Sequence, residues 1–208
     1  MRRQLFRLSI SALAALLVVA SPLAARGKKS PTEPGIHRDW RDEIDQVEIL
    51  ESFRLADYDA VVVEPLDGSR TELPEADDNT FAPVQSVLAH ATSPYVAGLE
   101  RGIGGRIRVV DASRDESEPG ARRLILRGRI EKMDPGSQAA RYWAGFGAGA
   151  AKTRILGELF DPESGKVLVK FDQERRSAVG EFGGDYEELM DRNLVQIGGD
   201  VAFLLAAF

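Results

Sequence analysis

The sequence predicts an α+β fold in which a single small, mostly antiparallel sheet carries helices on one face, with a helix at the C-terminal end. Two observations predict it. Between residues 105 and 176, apolar and charged residues alternate in several short segments, as they do in half-exposed strands. On either side, over residues 81–91 and 185–205, apolar residues recur three and four apart, as they do in amphipathic helices. Strands and helices segregated in this way indicate the α+β class.

The first predicted strand lies in the stretch "DYDAVVVEPL". Val61, Val62 and Val63 form a continuous β-branched run, and Pro65 marks its end. A run without alternation is typical of a strand that is buried on both faces.

Two helices are predicted to follow this strand. The first covers residues 81–91, with Asn79 or Thr80 as its cap. The second begins at residues 93–94 and ends at Gly102, because proline is accepted in a first turn and glycine commonly ends a helix.

Four alternating segments come next, at residues 105–113, 122–133, 152–160 and 166–176. One face of each is apolar or small and is expected to point towards the core. These inward positions are Ile107 and Val109; Leu124, Leu126, Gly128 and Ile130; Thr153, Ile155, Gly157 and Leu159; Val167, Val169 and Phe171. Ile125 breaks the alternation of the second segment. The letters "DPESGK" predict a tight hairpin between the third and fourth.

The last predicted element is a helix over residues 185–205. Asp185 and Glu188 have capping-box spacing at its start. Gly198 and Gly199 either weaken its middle or allow close packing on a sheet.

The N-terminal part of the chain predicts export. Arg2, Arg3 and Arg7 precede an apolar run over residues 8–20 and small residues, which is the pattern of a secretory signal peptide. We therefore expect a signal peptide at 1–25, a flexible leader at 26–55 and a single α+β domain at 56–208, with a short helix within residues 41–57. An uncleaved N-terminal anchor is the alternative to the signal peptide. After cleavage the protein would be periplasmic or secreted.

Composition excludes several classes of function. The chain has no cysteine, so it has no disulfide, no thiolate metal site and no lipidated cysteine. Its net charge of −6 argues against a general nucleic-acid binder, which needs a basic face.

The stretch from Leu124 to Asp185 resembles a family of uncharacterised bacterial exported or envelope proteins, domain of unknown function 4410. The residues that carry the resemblance are "GSQAAR", the core "GFGAG" over residues 145–149 and the hairpin "DPESGK". The resemblance implies an envelope location, and it implies no activity.

The loop "RYWAGFGAGAAK", residues 141–152, is the first candidate site. Its letters approach the glycine patterns of nucleotide-binding loops, but those loops open a helix and this one leads into a predicted strand. We therefore expect no cofactor. A structural loop, a protein-partner surface and a peripheral membrane contact remain open. The candidate binding residues are Arg141, Tyr142, Trp143, Gly145, Phe146, Gly147, Gly149 and Lys152.

A row of arginines is the alternative candidate. Arg123, Arg127 and Arg129 share the outer face of one predicted strand, an arrangement that suits an anion or an acidic glycan. The competing interpretation is a solvated face in which Glu131 and Glu158 pair with these cations across strands.

The sequence predicts neither catalytic nor metal-binding residues. Its two histidines, His37 and His90, do not stand near a candidate serine, and no G-x-S-x-G motif is present. The acidic stretch over residues 111–118 lacks the spacing and the glycine of a calcium loop.

These observations predict an exported, non-enzymatic envelope or periplasmic protein that acts as a protein-interaction or assembly module. Its expected partners are envelope proteins or further copies of itself. The alternative is an anion- or glycan-binding periplasmic module that uses the arginine row.

Overall fold

A computed structural model describes residues 32–114, 120–136, 150–177 and 185–208. They form a seven-stranded mixed sheet and three helices. The strands are β1 (Gly35–Trp40), β2 (Ile44–Ile49), β3 (Ala60–Val63), β4 (Arg108–Asp111), β5 (Arg123–Asp134), β6 (Ala151–Asp161) and β7 (Lys166–Ser177). The helices are α1 (Phe81–His90), α2 (Thr92–Ile103) and α3 (Tyr186–Leu205).

The strand order in the sheet is β1-β2-β7-β6-β5-β3-β4. β3 pairs in parallel with β4 and β5, and all other pairs are antiparallel. The described helices pack on one face of this sheet. The predicted fold class, a mostly antiparallel α+β sheet with a C-terminal helix, is confirmed.

The sheet includes a hairpin, β1–β2, where we expected a leader over residues 26–55. β2 pairs with β7, from Gln46 opposite Asp172 to Ile49 opposite Val169. Trp40, which ends β1, is 1% exposed. The expected short helix is also absent from residues 41–54, and only Leu55–Asp57 forms a 3-10 turn. The pairing of β2 with β7, which is distant in sequence, determines that this segment forms strands.

The core lies between the sheet and the helices. The alternation predicted for β5 and β6 is confirmed, because Leu124 and Leu126 of β5 and Ile155 and Leu159 of β6 are fully buried. In β7 the prediction is wrong at Val167, because the register shift at Leu159/Phe160 turns Leu168 inward and leaves Val167 on the outer face opposite Phe160. β3 is buried at all four of its residues, as a run without alternation predicts. The apolar side of α3 covers this core with Leu194, Ile197, Val201 and Leu205.

The helix boundaries differ from the expected ones at α2. The helix begins at Thr92 and ends at Ile103, followed by Gly104 in the left-handed conformation with φ +60°. Gly102, the expected terminator, lies inside the helix because α3 approaches it closely. A Cβ atom at Gly102 would lie 2.7 Å from Cβ of Ala202.

Two buried polar clusters fix α3 on the sheet. Asn193 accepts a hydrogen bond from the Ser177 hydroxyl (2.7 Å) and donates one to the carbonyl of Ala151 (3.2 Å). Asp200 accepts hydrogen bonds from Arg175 Nε and Gln173 Nε2, both at 2.7 Å. Burial raises the pKa of the Asp200 carboxyl, although the ion pair with Arg175 opposes this shift. These bonds satisfy polar groups that would otherwise destabilise the core.

Candidate functional site

The face of the sheet opposite the helices, which we call the open face, is the main candidate site. It carries the side chains that alternate with the core residues along β2, β5, β6 and β7. The described helices all lie on the other side, so none of them covers it. Each strand therefore contributes solvent-facing residues to one continuous surface.

A line of alternating charges crosses the open face, and we call it the charge ladder. Glu48 of β2 is opposite Lys170 of β7, Lys170 is opposite Glu158 of β6, and Glu158 is opposite Arg127 of β5. Arg127 donates to Glu64 from Nε (3.2 Å) and to Glu158 from Nη1 (3.4 Å). Opposite charges on neighbouring strands stabilise the pairing of those strands.

A line of apolar residues runs beside the charge ladder, and we call it the apolar row. It consists of Val110 (β4), Val62 (β3), Ile125 (β5), Phe160 (β6), Val167 (β7) and Leu50, which follows β2. The first five are successive cross-strand partners. The backbone N–H of Leu50 donates to the carbonyl of Leu168, next to Val167, at 2.8 Å.

The apolar row is partly accessible. Val62 is buried, whereas Val110, Ile125, Phe160 and Val167 are half-buried. Leu50 is 39% exposed. The Arg127 guanidinium lies 4.2 Å from the centre of the Phe160 ring, which places a cation on an aromatic face at the edge of the row.

A shallow depression of about 530 Å³ lies along the charge ladder. Three cations line it: Arg127, Arg129 and Lys170. Five carboxylates also line it: Glu48, Glu64, Asp67, Glu158 and Asp172. Because carboxylates outnumber cations, the depression does not favour an anion.

The structure brings two of the three predicted arginines together in this depression. Arg127 pairs with Glu64 and Glu158, and Arg129 Nη2 donates to Glu131 at 2.7 Å. Arg123 begins β5 opposite Ala60 and is exposed. Glu131 and Glu158 are therefore the partners that the solvated-face interpretation names.

Arg154, on the neighbouring strand β6, is paired in the same way. Its Nε donates to Asp172 Oδ1 at 2.8 Å. This hydrogen bonding to Asp172 raises the pKa of the Arg154 guanidinium.

Most of the glycine-rich candidate loop lies outside the described residues. This applies to Arg141, Tyr142, Trp143, Gly145, Phe146, Gly147 and Gly149. Lys152 is described: it is half-buried on β6, opposite Asp134 and Arg176. β6 begins at Ala151, so the loop does lead into a strand, which is the reason we gave against a nucleotide-binding loop.

The histidine on α1 is placed unfavourably for acid–base catalysis. His90 Nδ1 contacts the carbonyl of Ser86 at 2.7 Å, and Nε2 contacts Asp191 of α3 at 3.1 Å. The Ser86 hydroxyl donates to Glu187. Both ring nitrogens thus face oxygen acceptors, and neither is placed to take a proton from this serine.

The described parts of the chain contain no group of three or more His, Cys, Asp or Glu residues that could hold a metal ion. Asp111 accepts hydrogen bonds from Ser113, and residues 115–118 of the acidic stretch lie outside those parts. Within the same ranges, no helix combines the length and the apolar character needed to cross a membrane.

Sequence reasoning missed the apolar row, although two signals for it are present. Ile125 stands out of phase in its alternating strand, and Phe160 takes the outer position after Leu159. Outward apolar residues on neighbouring strands form a contiguous patch, and such patches are typical of interaction surfaces.

Residues 107–180 match the family model "Domain of unknown function (DUF4410)". The predicted resemblance is therefore confirmed for that segment. A search of curated proteins gives no match.

Several solved structures are similar to this chain at low sequence identity. The PelC dodecamer from Paraburkholderia phytofirmans is 20% identical, with a TM-score of 0.45 over 74% of this chain and 96% of that chain. Protein XCC0632 from Xanthomonas campestris, family model DUF330, is 9% identical, with a TM-score of 0.43 over 71% and 84%. Lipoprotein GNA1162 from Neisseria meningitidis is 12% identical, with a TM-score of 0.31 over 61% and 85%. Likeness at this level carries no information on partners or activity.

Proposed function

We propose that this chain is an exported, non-enzymatic protein of the bacterial cell envelope that binds protein partners or further copies of itself. The observation that carries the proposal is the open face, where an apolar row lies beside a charge ladder. Surfaces that combine an apolar strip with a polar border are typical of protein–protein contacts. The signal-peptide pattern over residues 1–25 supports export.

The arrangement of the polar groups supports a binding role over catalysis. His90 is held between Ser86 and Asp191, and the arginines of the open face are held by carboxylates. These groups are arranged as stabilising pairs, and neither ring nitrogen of His90 faces the Ser86 hydroxyl.

The glycine-rich loop over residues 141–152 is a second proposed contact. Tyr142, Trp143 and Phe146 are residue types that protein interfaces and membrane interfaces both favour. The loop joins β5 to β6, the two strands at the centre of the open face, so it can extend the same interaction surface.

Anion or glycan binding by Arg123, Arg127 and Arg129 has less support. Two of these guanidinium groups already contact carboxylates, and the depression beside them carries an excess of acidic groups. A thermal-shift screen with phosphates and acidic glycans tests this alternative. If the alternative is correct, an anion raises the melting temperature of the original chain, and Arg127→Ala abolishes this rise.

The proposal is tested with the exported chain from residue 26 onward. Its mass is measured by light scattering, and partners are captured from the envelope after cross-linking. We expect an oligomer or a captured partner that is lost in Phe160→Ala or Trp143→Ala and retained in Arg192→Ala, an exposed position on the helical side. A monomer that captures nothing contradicts the proposal.

A further inference from the structure

We infer that the apolar row binds a peptide segment of a partner protein in which apolar side chains are flanked by acidic ones. This inference rests on the proposed function and specifies the chemistry of the partner. It is carried by the length of the row, its accessibility and the charges along its sides.

The length of the row sets the size of the segment. The row crosses β4, β3, β5, β6, β7 and the end of β2, which is five strand spacings. Strands in a sheet lie about 4.8 Å apart, so the row is about 24 Å long. A helix of about 16 residues has this length, because it rises about 1.5 Å per residue.

The accessible apolar residues supply the attraction. Ile125, Phe160 and Val167 are adjacent cross-strand partners in the middle of the row, and all three are half-buried. Leu50 extends the row at the β2 end with 39% exposure. Covering these side chains removes contiguous apolar surface from water, whereas the charge ladder beside them stays hydrated at the border.

The charges at the β4–β3–β5 end favour an acidic segment. Arg108 and Arg123 are two residues before Val110 and Ile125 on their strands, so both point to the open face on the side away from the charge ladder. Both are exposed, and Arg127 borders the opposite side over Phe160. Arg108 and Arg123 also interact within the chain. A guanidinium has five N–H donors, so it can also donate to a carboxylate of the partner.

The charges at the other end of the row are balanced. Glu48 is opposite Lys170, and Glu51, which follows Leu50, accepts a hydrogen bond from Lys166 Nζ at 2.8 Å. The acidic residues of a bound segment are therefore expected to lie towards Arg108 and Arg123.

Two synthetic helical peptides of 16 residues test the inference against the full exported chain. Both carry leucines on one face, and these are flanked by glutamates in one peptide and by lysines in the other. Fluorescence anisotropy is expected to show that the glutamate peptide binds about tenfold more tightly, since several border ion pairs each contribute a small factor.

Three variants locate the binding. Phe160→Ala and Arg123→Glu are each expected to weaken binding of the glutamate peptide about fivefold or more. Arg101→Glu, the same charge change at an exposed position of α2, is expected to leave it unchanged. Urea unfolding of each variant checks the fold, and Arg123→Glu, at an exposed side chain, provides the test if Phe160→Ala is unstable.

Equal affinity for the two peptides, no binding of either, or unchanged binding by both Phe160→Ala and Arg123→Glu would overturn the inference. If envelope partners are still captured in that case, the proposed function stands and the contact lies elsewhere. If neither peptides nor partners bind and the chain is a monomer, both the inference and the proposed function are wrong.

Discussion

At the scale of single residues, Tyr95 is the buried group whose removal is most informative. Its ring is fully buried in α2, and among the described residues its hydroxyl is the buried side-chain atom without a hydrogen-bond partner. Burial, together with the nearby Asp200 carboxylate, raises the pKa of this hydroxyl, so it is neutral at every physiological pH. A buried polar group without a partner costs free energy of folding.

We therefore expect Tyr95→Phe to stabilise the protein by about 1 kcal/mol, because it removes an unsatisfied donor and keeps the ring. Urea unfolding at pH 7 measures this. Thr71→Val is the control: the buried Thr71 hydroxyl donates to the carbonyl of Ile130 at 2.8 Å, so its loss should destabilise. If Tyr95→Phe also destabilises, the hydroxyl contributes a favourable interaction and the prediction is wrong.

At the scale of elements, the contact between α2 and α3 depends on glycines at positions where the two backbones meet. A Cβ atom at Gly98 of α2 would lie 2.0 Å from the carbonyl oxygen of Val195, and one at Gly198 of α3 would lie 2.1 Å from the carbonyl oxygen of Tyr95. Gly199 has no atom within 4 Å of such a position. Of the two roles proposed for Gly198 and Gly199, close packing is therefore the role of Gly198. The element it packs on is α2 and not the sheet.

The two neighbouring glycines give a matched pair of substitutions. Gly198→Ala should destabilise by more than about 2 kcal/mol, because the helices must separate to admit the methyl group. Gly199→Ala should stabilise by up to about 1 kcal/mol, because alanine is the better helix former and nothing obstructs it. Both changes are measured as free energies of unfolding. Equal effects at the two positions would show that the helices are not in close contact.

The elements also show what the sequence can predict. β5, β6 and β7 are 11 or 12 residues long and alternate charged with apolar residues, so a local pattern predicts them. β2 has three apolar residues among six, and its pairing with β7 spans more than 100 residues. No local sequence pattern predicts the pairing of β2 with β7. The same limit applies to the apolar row: Ile125 and Phe160 are visible as outward apolar residues, but only the register aligns them with Val110 and Leu50.

At the scale of the whole molecule, aspartates at the ends of elements fix several turns. Asp67 accepts a hydrogen bond from the backbone N–H of Ser69, Asp78 from Thr80, and Asp111 from Ser113, at 2.7–2.9 Å. These bonds, together with those from the same three hydroxyl side chains, lower the pKa of each carboxyl below its ordinary value of 3.8. Burial shifts the pKa of Asp200 in the opposite direction.

The three turn aspartates make the stability of the whole fold depend on pH. A carboxyl whose pKa is lower in the folded state contributes stability above pH 3.8, and this contribution is lost as the pH falls through the folded values. Asp200 contributes with the opposite sign, so it offsets part of the loss.

We expect the combined variant Asp67→Asn, Asp78→Asn and Asp111→Asn to lose less stability between pH 7 and pH 2.5 than the original chain, because asparagine keeps the turn bond without titrating. Urea midpoints at the two pH values measure this difference. The control variant Glu72→Gln, Glu75→Gln and Asp77→Asn removes the same charge from exposed positions that have no such bonds, and it should keep the original pH dependence. If both variants reduce the pH dependence equally, net charge determines the acid sensitivity and the turns do not.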